Sequence, residues 1–150
     1  MKPIKIFSIL LMLCLGIATV ATAQPAAVKK AANTTFTLTT FDAKGSILST
    51  SNGVFVSNNG ICVSTWKPFV GAMKAEVTDN NGQKYSVETI LGANELYDVA
   101  KFKITAKTNA ALFAPSVVAN SAAWIVMPSQ AGDPIKANID KVEKFMTKYN

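Results

Sequence analysis

Three Asn-Gly pairs, Asn52-Gly53, Asn59-Gly60 and Asn81-Gly82, divide the middle of this chain into short apolar stretches. That spacing constrains the fold more than any other feature. Asn-Gly supplies the positive φ angles that tight hairpin turns need. Residues 34–41 (TTFTLTTF) alternate, with Phe36 and Leu38 on one face, and threonine and phenylalanine favour extended backbone. Residues 42–45 (DAKG) form a turn, and 46–50 return as a second strand. VFV at 54–56, ICVST at 61–65 and AEVTD at 75–79 follow. In 84–93 (KYSVETILGA), Tyr85, Val87 and Thr89 share a face. Residues 96–104 close the set, with Val99, Phe102 and Ile104 apolar. Many short strands at close spacing predict an all-β barrel or sandwich.

The ends read differently. Lys2 and Lys5 precede an apolar run over 6–20, and Ala21-Thr22-Ala23 has the small-x-small form of a signal-peptide cleavage site. Residues 1–23 are therefore expected to be a signal peptide, leaving no stable membrane anchor and an exported protein, periplasmic or extracellular. Cys14 does not make a lipoprotein, because bulky Leu13 precedes it. Residues 24–33 (QPAAVKKAAN) are expected to be a flexible leader, 34–128 the β domain and 129–150 a tail. Within 105–120 the pattern is loop-like, with an apolar piece at 111–114. WIVM at 124–127 is a strand candidate, and 129–134 is a turn-rich linker. Ile135, Ile139, Val142 and Phe145 or Met146 have helical spacing, whereas Ala137, Ile139 and Lys141 suit a strand, so that segment is open between the two.

Composition excludes several functions. All fifteen cationic residues are lysines. They are scattered, and recognition of nucleic acid draws on clustered charge and arginine forks, so the lysines read as solvated surface. There is no histidine, and beyond residue 23 the only cysteine is Cys62. Cys62 cannot form an intramolecular disulfide there, and its apolar setting reads as a small buried hydrophobe. Zinc would need histidine, cysteine or closely set carboxylates. No glycine-rich phosphate loop and no calcium-binding loop occurs, so Asp79-Asn80-Asn81-Gly82 reads as a hairpin turn. No metal and no cofactor is expected.

Residues 53–104 carry a more specific signal. Gly53 opens a hydrophobic strand, a polar glycine turn follows at 58–60, and a strand leads to the STWK step at 64–67. Gly71-Ala72 and a hairpin come next, and Tyr97-Asp98 starts the apolar strand YDVAKFKI. In order and spacing this resembles the first barrel of a trypsin-like serine protease, most closely the bacterial periplasmic HtrA/DegP-type branch. The resemblance covers about 34–128. It implies an incomplete chymotrypsin-fold N-terminal β-barrel with a short helical or strand-like tail where a second barrel would begin.

The same resemblance locates the departures from that family. Lys67 stands where the family has its histidine base, and Asp98 matches the aspartate that orients the base. The family's Gly-x-Ser-Gly-Gly nucleophile loop is missing. Triad chemistry needs a hydroxyl, a base that accepts its proton near neutral pH and a carboxylate that holds the base. A lysine amine, with an ordinary pKa near ~10.4, stays protonated unless strongly desolvated, and a nearby carboxylate keeps it so. Lys67 and Asp98 are thus expected to form a structural ion pair. A Ser64–Lys67 dyad is the weaker reading, because Ser64 is an ordinary strand residue. Glu95 and Asp98, three apart, are a weak carboxylate pair for acid–base work. Trp66 and Trp124 are expected to pack in the barrel, and the other role for Trp66 is to cap a vacant cleft.

The expectation is an exported, catalytically inactive protease homologue that binds a peptide or protein or acts as a scaffold, with self-association left open. The alternatives are half of a peptidase completed by a second chain, and a secreted peptide- or protein-interaction domain whose likeness to proteases is only architectural.

Overall fold

A computed structural model describes residues 25–128 and 132–142. The expected signal peptide (1–23), Gln24 and residues 143–150 lie outside the described residues, as does part of the 129–134 linker. A short helix, α1 (Ala26–Ala32), precedes six strands: β1 (Thr35–Phe41), β2 (Ile47–Phe55), β3 (Ile61–Ser64), β4 (Lys74–Asp79), β5 (Lys84–Asn94) and β6 (Val99–Ile104). They close into an antiparallel barrel in the order β1-β2-β3-β6-β5-β4. Two further strands, β7 (Ser121–Ile125) and β8 (Ile135–Ile139), form a separate two-stranded sheet. The expected all-β barrel is therefore the fold.

Period-two alternation builds the interior. In β6, Ala100, Phe102 and Ile104 are fully buried while Val99, Lys101 and Lys103 face out. Counting back in twos from Phe102 puts Ala100, not Val99, inside. Phe36, Leu38, Phe55, Cys62 and Val77 complete the core. Its aromatic rings form a column through the barrel. Phe55 lies 4.8 Å from Phe36 between ring centres, Phe36 lies 6.0 Å from Phe102, and Phe102 lies 5.2 Å from Phe69. Trp66 stacks on Phe69 at 6.2 Å.

Gly53 makes room for this column. It lies inside β2, opposite Phe36 of β1, and a Cβ built there would come within 2.3 Å of the Phe36 ring. Asn52-Gly53 is therefore not a turn, as its sequence suggests, but part of a nine-residue strand that continues from Ile47 to Phe55. The other two pairs do turn. Gly60 has φ +83° and Gly82 φ +79°, backbone conformations that glycine adopts without steric cost.

The segment expected as a flexible leader folds into α1. Alanine favours helix, but seven residues alone are too few to persist in water. Local and tertiary bonds at its C-terminus, with burial of Val28, supply the rest. The Thr34 and Thr35 hydroxyls donate to the carbonyls of Ala31 and Ala32, the Asn80 amide donates to the Ala32 carbonyl, and Val28 is buried. The two threonine bonds are local, but the Asn80 bond comes from the turn after β4, forty-eight residues away, and no local pattern announces it.

Two other expectations change. The barrel ends at Ile104, not near residue 128. The segment after it folds back over the β2–β3 turn, where Thr108 Oγ1 donates to the Ser57 carbonyl at 2.6 Å and the Ala111 N–H to the Phe55 carbonyl at 2.8 Å. The segment from Ile135, open between helix and strand, is the strand β8, which pairs with β7 from Ser121↔Ile139 to Ile125↔Ile135. Trp124 lies on β7 and is about one-third exposed, so of the two tryptophans only Trp66 packs against the barrel core.

Substituting Gly53→Ala should force the Phe36 ring out of the column and cost about 1–3 kcal/mol, the range of overpacking. Phe102→Ala should cost about 3–5 kcal/mol by leaving a cavity between two rings. Urea unfolding of both variants measures this, and Gly92→Ala, a strand glycine without positive φ whose added Cβ meets nothing within 4 Å, controls for the loss of glycine alone.

Candidate functional site

The positions that the resemblance pairs, 67 and 98, meet at one end of the barrel. Lys67 begins a 3₁₀ turn (Lys67–Phe69) after β3, and Asp98 sits in the turn that enters β6. One oxygen of the Asp98 carboxylate accepts a hydrogen bond from the Lys67 backbone N–H at 2.7 Å. Asp98's own carbonyl accepts from the Trp66 N–H at 3.3 Å. The carboxylate thus fixes the approach to the 3₁₀ turn by gripping its main chain. The expected ion pair is not formed. The Lys67 side chain is exposed and makes no salt bridge with Asp98. A bond to an N–H is short and directional, whereas an exposed ion pair gains little after screening and loss of side-chain freedom.

Asp98 also has φ +50°, in the left-handed region where Asp and Asn are over-represented among non-glycine residues. Its neighbours hold this turn. The Tyr97 N–H donates to the Asn94 side-chain oxygen at 3.1 Å, and the Asp98 N–H to the Glu95 carbonyl at 3.3 Å. Glu95 therefore contributes a backbone carbonyl to the turn.

Neither Ser64 nor Cys62 is set up as a nucleophile here. The Ser64 hydroxyl is buried and donates to the Asn52 carbonyl at 2.8 Å, with the Ser51 hydroxyl 3.2 Å away. It serves the β2–β3 seam and is not directed at Lys67. Cys62 is fully buried in the core, and burial pushes its thiol up to about 12. Asp79 is the turn residue expected of it: one carboxylate oxygen accepts from the Asn81 N–H at 2.8 Å and the Gln83 N–H at 2.9 Å. Among the described residues no group of three or more Cys, Asp or Glu side chains is arranged to hold a metal ion.

Sequence reasoning missed the behaviour of β5. Its first residues, Lys84, Tyr85 and Ser86, pair with Thr78, Val77 and Glu76 of β4. From Val87 to Asn94 it pairs instead with β6, through irregularities at Val87/Thr89 and Ile90/Gly92. Those irregularities rotate the strand, so Thr89 is exposed and not aligned with Tyr85 and Val87. The change of partner opens the barrel wall at two places. Toward the Asp98 end, a cleft of about 250 Å³ lies between the start of β4 and the middle of β5, lined by Phe69, Met73, Ala75, Val87 and Ile90. Toward the opposite end, a polar cleft of about 260 Å³ is lined by Asn33, Asp79, Asn81, Tyr85, Lys107 and Asn109. The only sequence signal for this was the run TILG at 89–92, where alternation stops.

No protein-family model matches this chain, and no curated protein sequence matches it. Among solved structures it is similar to the crystal structure of the serine endoprotease from Yersinia pestis, at 25% identity and a TM-score of 0.49, over 53% of this chain and 28% of that one. The match thus spans under a third of that protein's length.

Asp98→Asn should fold and keep its turn, since Asn retains an acceptor and tolerates positive φ. Asp98→Ala loses both and should cost about 1–2 kcal/mol. Amide exchange at Lys67 separates the two, with faster exchange in the alanine variant alone. Cys62 should resist alkylation in the folded protein and react on denaturation. Its folded thiol ionises later than its unfolded one, so its contribution to stability is present below the unfolded pKa and is lost as pH rises toward about 12. Alkylation across an alkaline pH series, read by mass, checks this.

Proposed function

We propose that this chain is an exported, catalytically inactive homologue of trypsin-like proteases that works by binding and not by hydrolysis. One observation carries the reading. The two positions that the resemblance designates as base and orienting carboxylate, thirty-one residues apart, are joined by a 2.7 Å hydrogen bond, yet the carboxylate holds a main-chain N–H and the side chain in the base position is an exposed lysine. The framework of such a site is retained and its proton acceptor is replaced. The buried Ser64 hydroxyl, committed to the Asn52 carbonyl, and the unreactive setting of Cys62 support the same reading. So does the amino-terminal pattern for export.

For the binding role, the structure favours strand addition at β5. Beyond Ser86 this strand has no ladder partner on the side facing β4, and its free edge runs beside the cleft lined by Phe69, Met73 and Ile90. An unpaired edge beside apolar pockets is how extended peptides are recognised: main-chain bonds give affinity and alternate side chains give specificity. Ile90 and Leu91 on this strand and Met73 across the cleft are exposed.

The purified chain should release no fragments from casein, and Asp98→Ala should change nothing. Casein cleavage that Asp98→Ala abolishes overturns the inactive reading and favours a peptidase, for which a second chain would have to supply the missing groups. Extended apolar peptides should shift the amide resonances of 87–92, and Ile90→Lys should weaken that binding by about tenfold or more. Shifts confined to the Lys67 end would place the binding surface elsewhere.

A further inference from the structure

The three Asn-Gly pairs share one covalent liability. The backbone nitrogen after an asparagine can attack the asparagine Cγ, forming a C–N bond and expelling the side-chain nitrogen as ammonia. Water then opens the resulting succinimide at either carbonyl, giving aspartate or a β-linked isoaspartate. Amide and water become carboxylate and ammonium, with no change of oxidation state. Glycine accelerates the attack because no side chain hinders its nitrogen. Asparagine ranks among the thermolabile residues for such reasons. Ring closure requires the chain to rotate so that the nitrogen reaches Cγ, so the surrounding structure decides which pair reacts.

The fold places the pairs in three different environments. Asn52 is in the body of β2, paired with Thr37 of β1, and its carbonyl receives the Ser64 hydroxyl. The next residue, Gly53, lies against the Phe36 ring. Rotation there would break the barrel wall. Asn59 is in the β2–β3 turn, where its side-chain oxygen accepts from the Ser57 hydroxyl. Gly60 is buried, with the Ile104 carbonyl 2.1 Å from where its Cβ would lie, and its own carbonyl accepts from the Ile104 N–H at 2.9 Å. That turn is clamped onto β6. Asn81 and Gly82 are both exposed, the Asn81 carboxamide makes no hydrogen bond to a described residue, and nothing lies within 4 Å of a Cβ at Gly82. The attacking Gly82 N–H must leave the Asp79 carbonyl at 3.0 Å, and the exposed Asp79 turn bonds to the Asn81 and Gln83 N–H must give with it, but no core strand has to open.

We propose that Asn81-Gly82 is the site of spontaneous succinimide chemistry in the folded protein, and that its isoaspartyl product releases α1. The second part follows from what the turn holds. The side chain of Asn80 ties this turn to the Ala32 carbonyl at the end of α1. Asp79 and Gln83 close the hairpin by a 3.0 Å backbone bond. An isoaspartyl linkage adds a methylene to the main chain between Asn80 and Gly82, so these two anchors can no longer be satisfied together. Plain deamidation adds only a charge beside Asp79.

The purified chain is incubated in mildly alkaline heavy-oxygen water, and label uptake at each pair is read by peptide mass mapping. In the folded chain Asn81 should label first. Asn52 and Asn59 need opening of core strands and should lag by about a hundredfold or more. In denaturant the three should label at similar rates. Labelling of Asn52 or Asn59 as fast as Asn81 in the folded chain overturns the proposal, and so does an Asn81 that labels only in denaturant. For the second part, amide exchange across α1 is compared between the purified isoaspartyl form, unmodified protein and Asn81→Asp. Faster exchange in the isoaspartyl form alone is expected. Equal exchange in all three, or equal loss in Asn81→Asp, overturns it.

Discussion

The fit of the Phe36 ring against Gly53 is the contact on which the rest of the barrel depends. Phe36 touches Phe55 on one side and Phe102 on the other, and through Phe102 and Phe69 the column reaches Trp66. A small barrel has little interior, and its stability rests on filling that space without voids. Here large rings fill it, and the missing side chain at position 53 leaves room for the central ring against the wall. Both ends of the molecule are tied to this column. Phe55 borders the polar cleft, and Phe69 lines the apolar one and belongs to the turn that Asp98 anchors.

The β5 strand links that core to the surface. A strand that pairs with one neighbour at its start and another for the remainder cannot seal both seams. The two clefts are the geometric result of one change of partner, and their contrast follows from the residues at each seam. At the β4–β5 turn, asparagines and an aspartate dominate because turn formation requires them. At the other seam, Met73, Val87 and Ile90 come from strands and a short connection where no turn chemistry is needed.

Much of this was legible in the sequence. Strand alternation in 34–41 and 84–87 gave the inner faces of β1 and early β5, and the order of motifs from Gly53 to Asp98 picked out two positions, 67 and 98, that are neighbours in space. The failures have physical causes. Asn52-Gly53 has the local signature of a turn, but packing against Phe36 recruits its glycine for space and not for φ, so the strand runs through it. The α1 helix was invisible because its carbonyl acceptors are satisfied by Thr34, Thr35 and Asn80, the last from forty-eight residues away. The partner of Asp98 was misjudged because charge complementarity is visible in a sequence, whereas a backbone N–H is not. The pairing of β7 with β8 depended on a ladder between distant segments, and periodicity alone could not separate helix from strand in the β8 segment.

The grip of Asp98 on a main-chain N–H makes the shape of this end independent of the residue at position 67. Every amino acid except proline offers that N–H, so the loop keeps its course whichever side chain it displays. Shape and side-chain chemistry are thereby set separately. A barrel built this way can exchange the side chain it displays at position 67 by a single substitution without rebuilding the scaffold around it, and Lys67 is one occupant of a place whose shape the fold maintains on its own terms.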